Sequence, residues 1–151
     1  MVASFINKGN IMTILSTLFF LFQLTRYLEK LIVESENLEE RICVIRRILE
    51  ILVVLQDYNN FSGVLALTSA FKSASIHRIL FDKTTGIFND KIKNKLSNNL
   101  IKAYDGASSL YPNRFKIYWE KLRSINPPCV PYFGQYQTNL LLTDEGKFKE
   151  I

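Results

Sequence analysis

The side chains that could do chemistry are few in this chain, and they do not form a bond-making set. His77 is the only histidine, and no serine, cysteine or carboxylate lies at a spacing recognisable for a nucleophile and its base. Cys43 and Cys129 lack the Cys-x-x-Cys or nearby-histidine arrangement that binds a metal ion. A glycine-rich phosphate loop is missing as well. The sequence therefore predicts a protein that is not a bond-making enzyme and that uses neither a cofactor nor a metal ion.

One stretch near the C-terminus places a carboxylate in a defined position. Residues 126–146 open with Asn-Pro-Pro-Cys-Val-Pro, and each proline fixes φ and prevents an unbroken helix from running through. Pro131 suits a first helical turn, and the glycine that closes the stretch suits a helix end. On the resulting helix of about three turns, Leu141 and Glu145 lie one turn apart.

Length and composition predict one globular domain. The chain has 151 residues, 48% of them hydrophobic and 22% charged. Its net charge of +5 could suit a nucleic acid or an anionic membrane, but the basic residues are scattered, which favours a solvated surface. The two cysteines lie within apolar runs, so we expect reduced, buried thiols of a cytosolic protein.

Helical spacing of apolar residues defines the central elements. Asn37 is predicted to cap a helix that ends near Asp57. The asparagine pair that ends at Asn60 then starts the next helix, with Phe61 as its core anchor.

Two further helices are predicted in the C-terminal half. Residues 87–104 are expected to form one amphipathic surface helix, and Pro112 opens another. Aromatic residues of this last helix could suggest a nucleic-acid platform, but their three-to-four spacing favours a core face. Because no long alternating segment competes, the expected fold is all-α, with six or seven helices.

Residues 11–24 form an apolar run without charge that imitates the core of a signal peptide. A cleavage site does not follow, and fourteen residues are fewer than the roughly 20 that cross a bilayer. A buried helix is the favoured interpretation. An uncleaved membrane anchor and a foreign segment joined by gene prediction are the alternatives.

Three ordered blocks resemble the catalytic domain of the Ras guanine-nucleotide exchange factors, the RasGEF family. Residues 32–52 are similar to its first long core helix and lead-in. Residues 59–78 are similar to its Asn-Phe helix and the short helix after it, and residues 126–146 to the start of its protruding helical hairpin. This likeness extends from Leu24 to Gly146, with a divergent interruption.

The resemblance implies a multi-helix RasGEF-type domain that is all-α and incomplete at both ends. Residues 1–23 would be a divergent apolar segment, and residues 24–151 a partial domain that ends within the hairpin. Phe19 and Phe22 fall where a family member carries polar residues that hold the GTPase. That part of the contact surface is therefore expected to be lost or buried against something else.

The resemblance also implies the site residues. Leu141 would enter the Mg²⁺ site of the GTPase and Glu145 its phosphate site, so that the pair displaces nucleotide. Lys72, His77 and Thr138 would bind the GTPase, with Lys72 and His77 at a corner that faces its switch II region.

The implied function is exchange of guanine nucleotide on a Ras-family small GTPase, in signalling by such GTPases. The expected partner is the GTPase, preferably nucleotide-free, with no nucleic acid and with membrane contact only through the GTPase. The expected location is cytoplasmic, with recruitment to the inner face of the plasma membrane. The alternative is a non-catalytic helical module that binds a GTPase, because the chain ends before the returning helix of the hairpin. For that reason we expect little or no exchange activity from these 151 residues alone. Direct membrane association through residues 11–24 is a third possibility.

Overall fold

The structure is a computed structural model that describes residues 8–136, with side chains from residue 12 onward except that of Arg114. Over this range the chain is helical, with two isolated β-bridges and no strand, so the all-α prediction is confirmed. A short helical segment at 133–136 follows seven named helices. These are α1 (Lys8–Val33), α2 (Leu38–Asp57), α3 (Phe61–Lys72), α4 (Ala74–Leu80), α5 (Asp90–Lys93), α6 (Asn98–Ser108) and α7 (Pro112–Ser124).

Helix α3 is the centre of the core. It contacts α1, α2, α4 and α6, and nine of its twelve residues are buried. Gly63 explains how α2 approaches so closely, because a Cβ atom at this position would lie 3.0 Å from a methyl carbon of Leu55. Phe61 is 2% exposed, which confirms its predicted role as a core anchor.

Asparagine caps fix the starts of α2 and α3 as the sequence predicts. The side chain of Asn37 accepts a hydrogen bond from the backbone N–H of Glu40 at 2.9 Å. That of Asn60 accepts one from Gly63 at the same distance. Each cap satisfies a donor that would have no partner within its helix.

The single surface helix predicted over residues 87–104 is wrong. Two caps divide this stretch, because the Asn89 side chain accepts from the N–H of Ile92 to start α5, and that of Ser97 accepts from Leu100 to start α6. Ile87 is 51% exposed, but the other apolar residues of this stretch are buried or half-buried. The buried ones are Phe88, Ile92, Leu96 and Tyr104.

An aromatic cluster closes the core between α3, α4 and α6. Phe81 stacks on Phe88 with ring centres 4.6 Å apart. Tyr104 lies 5.3 Å from Phe71 and 5.2 Å from Phe88. Burial in this apolar surrounding raises the pKa of Tyr104 to about 12.

Helix α1 is continuous from residue 8 to 33, but its N-terminal half is not buried. Met12 and Phe19 are each 64% exposed and Phe20 is 65% exposed, so the predicted buried helix is wrong for this half. Contact with the core begins near Thr25, whose Oγ1 donates to the carbonyl oxygen of Ala66 at 3.2 Å. Leu28 is then buried on the side of α1 that faces the core. Between residues 8 and 136, the structure contains no helix with the length and apolar character needed to cross a membrane.

The two cysteines are free, but they differ in burial. Cys43 is exposed and Cys129 is half-buried, so the expectation of a buried thiol is wrong for Cys43. Its neighbour Ile42 is 1% exposed. One residue step turns a helix by about 100°, which carries Cys43 away from the buried face of α2.

Candidate functional site

The corner between α3 and α4, residues 70–78, carries two of the predicted binding residues. Ser73 has extended backbone angles and separates the helices. Ala70 and Ile76 are fully buried on either side of it. Because both flanking turns are fixed to the core, the exposed side chains of this corner project from a rigid base.

Lys72 lies at the last turn of α3 and is already engaged within the chain. Its Nζ donates to the carbonyl oxygen of Ser108, at the end of α6, at 3.2 Å. Partial burial lowers the pKa of the Lys72 ammonium. An acidic group on a partner would therefore compete with the Ser108 carbonyl for this cation.

His77 is exposed on α4, and one face of its ring is covered. The imidazole stacks on Phe81, with ring centres 4.9 Å apart and an angle of 18° between the planes. Phe81 is itself buried, at 5% exposure. The ring is therefore held flat on the core, while the other face of this exposed side chain is open to a partner.

Residues 129–132, which we call the anchor segment, dock on the start of α3. Val130 donates its N–H to the carbonyl oxygen of Asn59 at 3.0 Å, and its own carbonyl oxygen accepts from the N–H of Phe61 at 2.9 Å. The Ser62 hydroxyl donates to the carbonyl oxygen of Pro131 at 2.8 Å. These bonds join residues nearly seventy positions apart and leave the segment little freedom to shift along α3.

Two tyrosine hydroxyls complete this region. That of Tyr118 accepts from the backbone N–H of Tyr132 at 3.0 Å, and that of Tyr111 donates to the carbonyl oxygen of Phe61 at 3.0 Å. Burial raises the pKa of both phenols, so each remains neutral at physiological pH. The Tyr118 ring is fully buried and meets Phe61 edge to face at 5.2 Å.

After the anchor segment the chain is helical at 133–136, so this helix begins two residues after Pro131, the residue predicted for its first turn. Tyr136 meets Trp119 of α7 edge to face at 5.8 Å. Thr138, Leu141 and Glu145 lie outside the described residues. The structure therefore describes the anchor segment and the first residues of the predicted helix, and not the end that carries Leu141 and Glu145.

Phe19 and Phe22, where part of the contact surface is expected to be lost or buried, are 64% and 61% exposed on α1. No described residue buries these two side chains. Within residues 8–136, the expectation that they are buried against another part of the molecule is therefore not met. The described residues also contain no group of three histidine, cysteine or acidic side chains that could hold a metal ion. These surfaces present one exposed histidine side chain, one lysine engaged within the chain and a helix start that is fixed to α3.

Sequence reasoning missed the hydroxyls that hold the anchor segment. Ser62 lies within α3 and Tyr118 within α7, and neither helical segment indicates a distant partner in its sequence. Their hydrogen-bond partners lie 69 and 14 residues away. Only the prolines signalled that a turn must occur here, and they do not indicate what it rests on.

Comparison with known proteins places these features in context. The RasGEF domain family matches residues 4–151. Protein son of sevenless of Drosophila melanogaster is 38% identical over 122 residues, and the Son of sevenless homolog of Caenorhabditis elegans is 34% identical over 123. Ras-specific guanine nucleotide-releasing factor 1 of Mus musculus is 31% identical over 115 residues.

These alignments cover most of this chain and a small part of each relative. They span 81%, 82% and 76% of the chain, but only 7%, 8% and 8% of the respective relatives. The chain thus corresponds to less than a tenth of the length of each of these three relatives.

Proposed function

Because this chain belongs to the RasGEF domain family, as its sequence blocks predicted, we propose that it promotes GDP release from a Ras-family small GTPase. The observation that carries the proposal is the match of residues 4–151 to the RasGEF domain. Relatives from fly, worm and mouse include Son of sevenless proteins and a Ras-specific guanine nucleotide-releasing factor. The chain would act as a regulator of a GTPase and not as a bond-making enzyme.

The proposed mechanism is differential binding. Nucleotide held at picomolar affinity is bound by about 16 kcal/mol, and its release is correspondingly slow. A protein that binds the empty GTPase more tightly than the loaded one must weaken nucleotide binding by the same factor. The preferred partner is therefore the nucleotide-free form, and neither a cofactor nor a nucleic acid is needed.

Leu141 and Glu145 are the proposed wedge. An apolar leucine at the Mg²⁺ site offers no oxygen ligand to the cation, and a glutamate at the phosphate site competes for the donors that hold the phosphate. Thr138 would contact the GTPase from the same helix. The anchored start at residues 129–132 supports this role, because a wedge needs a rigid mount.

Lys72 and His77 are proposed to contact the switch II region of the GTPase. The exposed ring face of His77 supports a stacking or hydrogen-bonding contact. Lys72 would have to leave the Ser108 carbonyl to pair with an acidic partner, so its contribution is expected to be modest.

We further propose a cytoplasmic location, with the membrane reached through the GTPase. The division between residues 1–23 and 24–151 stays a prediction, although α1 runs through it and the family match begins at residue 4.

Release of fluorescent GDP from a purified Ras protein tests this function. With the chain in excess, acceleration that depends on its concentration supports exchange and overturns the expectation that these 151 residues have little activity alone. A rate equal to spontaneous release agrees with that expectation and counts against exchange by this chain. Leu141→Ala and Glu145→Ala should each slow release, whereas Leu140→Ala serves as the matched control for losing a leucine from the same run. Equal rates for all four proteins would refute the assignment of the wedge.

The second candidate is a module that binds the GTPase without releasing nucleotide. The exposed apolar Phe19 and Phe22, at positions where polar GTPase contacts are expected, favour it. Pull-down with nucleotide-free and GDP-loaded Ras separates the two functions. Preference for the empty form supports exchange, and equal capture without accelerated release supports the binding module.

A further inference from the structure

We propose that Tyr118 is a positioning residue that sets the direction of the helix beginning at residue 133. The proposal rests on the function proposed above, because this helix leads to the wedge. Its basis is the hydrogen bond from the Tyr132 N–H to the Tyr118 hydroxyl, at 3.0 Å.

The anchor segment has few backbone donors with which to fix itself. Pro131 has no N–H, so the donors on either side of it are those of Val130 and Tyr132. Val130 uses its donor on Asn59 of the turn before α3. Tyr132 directly precedes the helical segment, where a backbone N–H has no partner within the helix. The Tyr118 hydroxyl satisfies that donor.

The Tyr118 hydroxyl is itself held in one place. The ring is fully buried, lies 5.2 Å from Phe61 of α3 edge to face, and stacks at 6.2 Å with Tyr111. Since the N–H of Phe61 also donates to the carbonyl oxygen of Val130, one small region of α3 orients both the Tyr118 hydroxyl and the segment that it binds.

A small change in helix direction at the anchor segment would cause a large displacement of the predicted wedge residues. On the helix that the sequence predicts, Glu145 follows residue 133 by twelve positions, or about 18 Å at 1.5 Å per residue. A tilt of roughly 10° at the anchor would displace the tip by about 3 Å. Misplacement of a catalytic group by about 1 Å can cost on the order of a hundredfold in rate.

The test compares Tyr118→Phe with Tyr111→Phe. Each variant keeps a buried ring and removes one hydroxyl that bonds a backbone group at 3.0 Å. Tyr111 bonds the Phe61 carbonyl and not the anchor segment, so its loss controls for general stability. We expect Tyr118→Phe to lower the maximal rate of GDP release by roughly tenfold or more, with the half-saturating concentration unchanged, and Tyr111→Phe to leave the maximal rate near wild type. Equal rate losses in the two variants would overturn the proposal.

A second readout keeps this proposal separate from the proposed function. Amide hydrogen exchange on the full chain alone should be faster at residues 132–136 in Tyr118→Phe than in Tyr111→Phe or the wild type. If the wild-type chain fails to release GDP, the proposed function falls, and this measurement still decides the positioning role. Unchanged protection of residues 132–136 in Tyr118→Phe would refute it.

Discussion

Helix α3 and the N-terminal half of α1 are both rich in apolar residues and free of acidic ones, yet only α3 is buried. α3 contacts four other helices. Residues 12–22 of α1 include four large apolar side chains that are at least 60% exposed: Met12, Phe19, Phe20 and Phe22. Apolar composition therefore does not decide burial. The presence of neighbouring helices does.

The two regions also differ in whether they hold candidate functional segments at a fixed distance from each other. α3 bears the anchor segment at its first turn and the α3–α4 corner at its last, and its twelve residues span about 18 Å. A buried helix thus fixes the distance between the mount of the predicted wedge and the predicted switch II contact. The exposed half of α1 fixes nothing comparable among the described residues.

The largest difference between the two regions is expected when one phenylalanine is removed from each. Phe71→Ala empties a fully buried site of α3 and should cost about 3–5 kcal/mol of unfolding free energy. Phe20→Ala removes a 65% exposed ring and should change it by less than about 0.5 kcal/mol. Urea unfolding followed by circular dichroism measures both. A comparable loss in Phe20→Ala would mean that this half of α1 is covered in solution.

A smaller effect is expected from the caps. Asn60→Ala and Asn37→Ala each remove a side chain that accepts a backbone N–H at 2.9 Å, so each should cost about 1 kcal/mol of unfolding free energy. The two should differ in GDP release, because Asn60 lies at the turn that holds Val130 and Asn37 does not. Thermal unfolding and the release assay together test this, and identical release rates would argue against coupling between the α3 cap and the anchor segment.

Among these variants, Tyr104→Phe is expected to change the unfolding free energy least at neutral pH. This change becomes larger at alkaline pH. Tyrosine ordinarily titrates near pH 10, and burial raises the pKa of Tyr104 to about 12. Between these values the unfolded chain releases the proton first, so the contribution of Tyr104 to stability is lost as the pH rises from about 10 to 12. Tyr104→Phe should flatten the fall of the unfolding free energy over that window, whereas the control Tyr58→Phe, at a 73% exposed position, should follow the wild type. Parallel curves for all three proteins would show that burial of Tyr104 does not govern the alkaline loss.

Local signals in the sequence predicted several helix starts that depend on local bonds. The caps at Asn37 and Asn60 and the start of α7 at Pro112 are of this kind, since each rests on groups within a few residues. The break between α5 and α6 was missed because helical periodicity over residues 87–104 outweighed the capping groups in the prediction.

Features that depend on distant partners were not predictable from one sequence. Exposure of Phe20 depends on which helices surround α1, and the role of Ser62 depends on a carbonyl 69 residues away. The candidate site likewise has features that the sequence indicates and features that depend on distant partners. Family likeness gave the positions Lys72 and His77, but the Ser108 carbonyl that engages Lys72 appears only in three dimensions.

The bond between Ser62 and the Pro131 carbonyl has a consequence for the order of folding. Closing a loop of about seventy residues carries an entropic cost that local helix formation does not. Because the anchor segment can dock only after α3 offers its first turn, we expect docking to follow the rate-limiting step of folding. Removing the Ser62 hydroxyl should then accelerate unfolding in stopped-flow experiments and leave the refolding rate nearly unchanged.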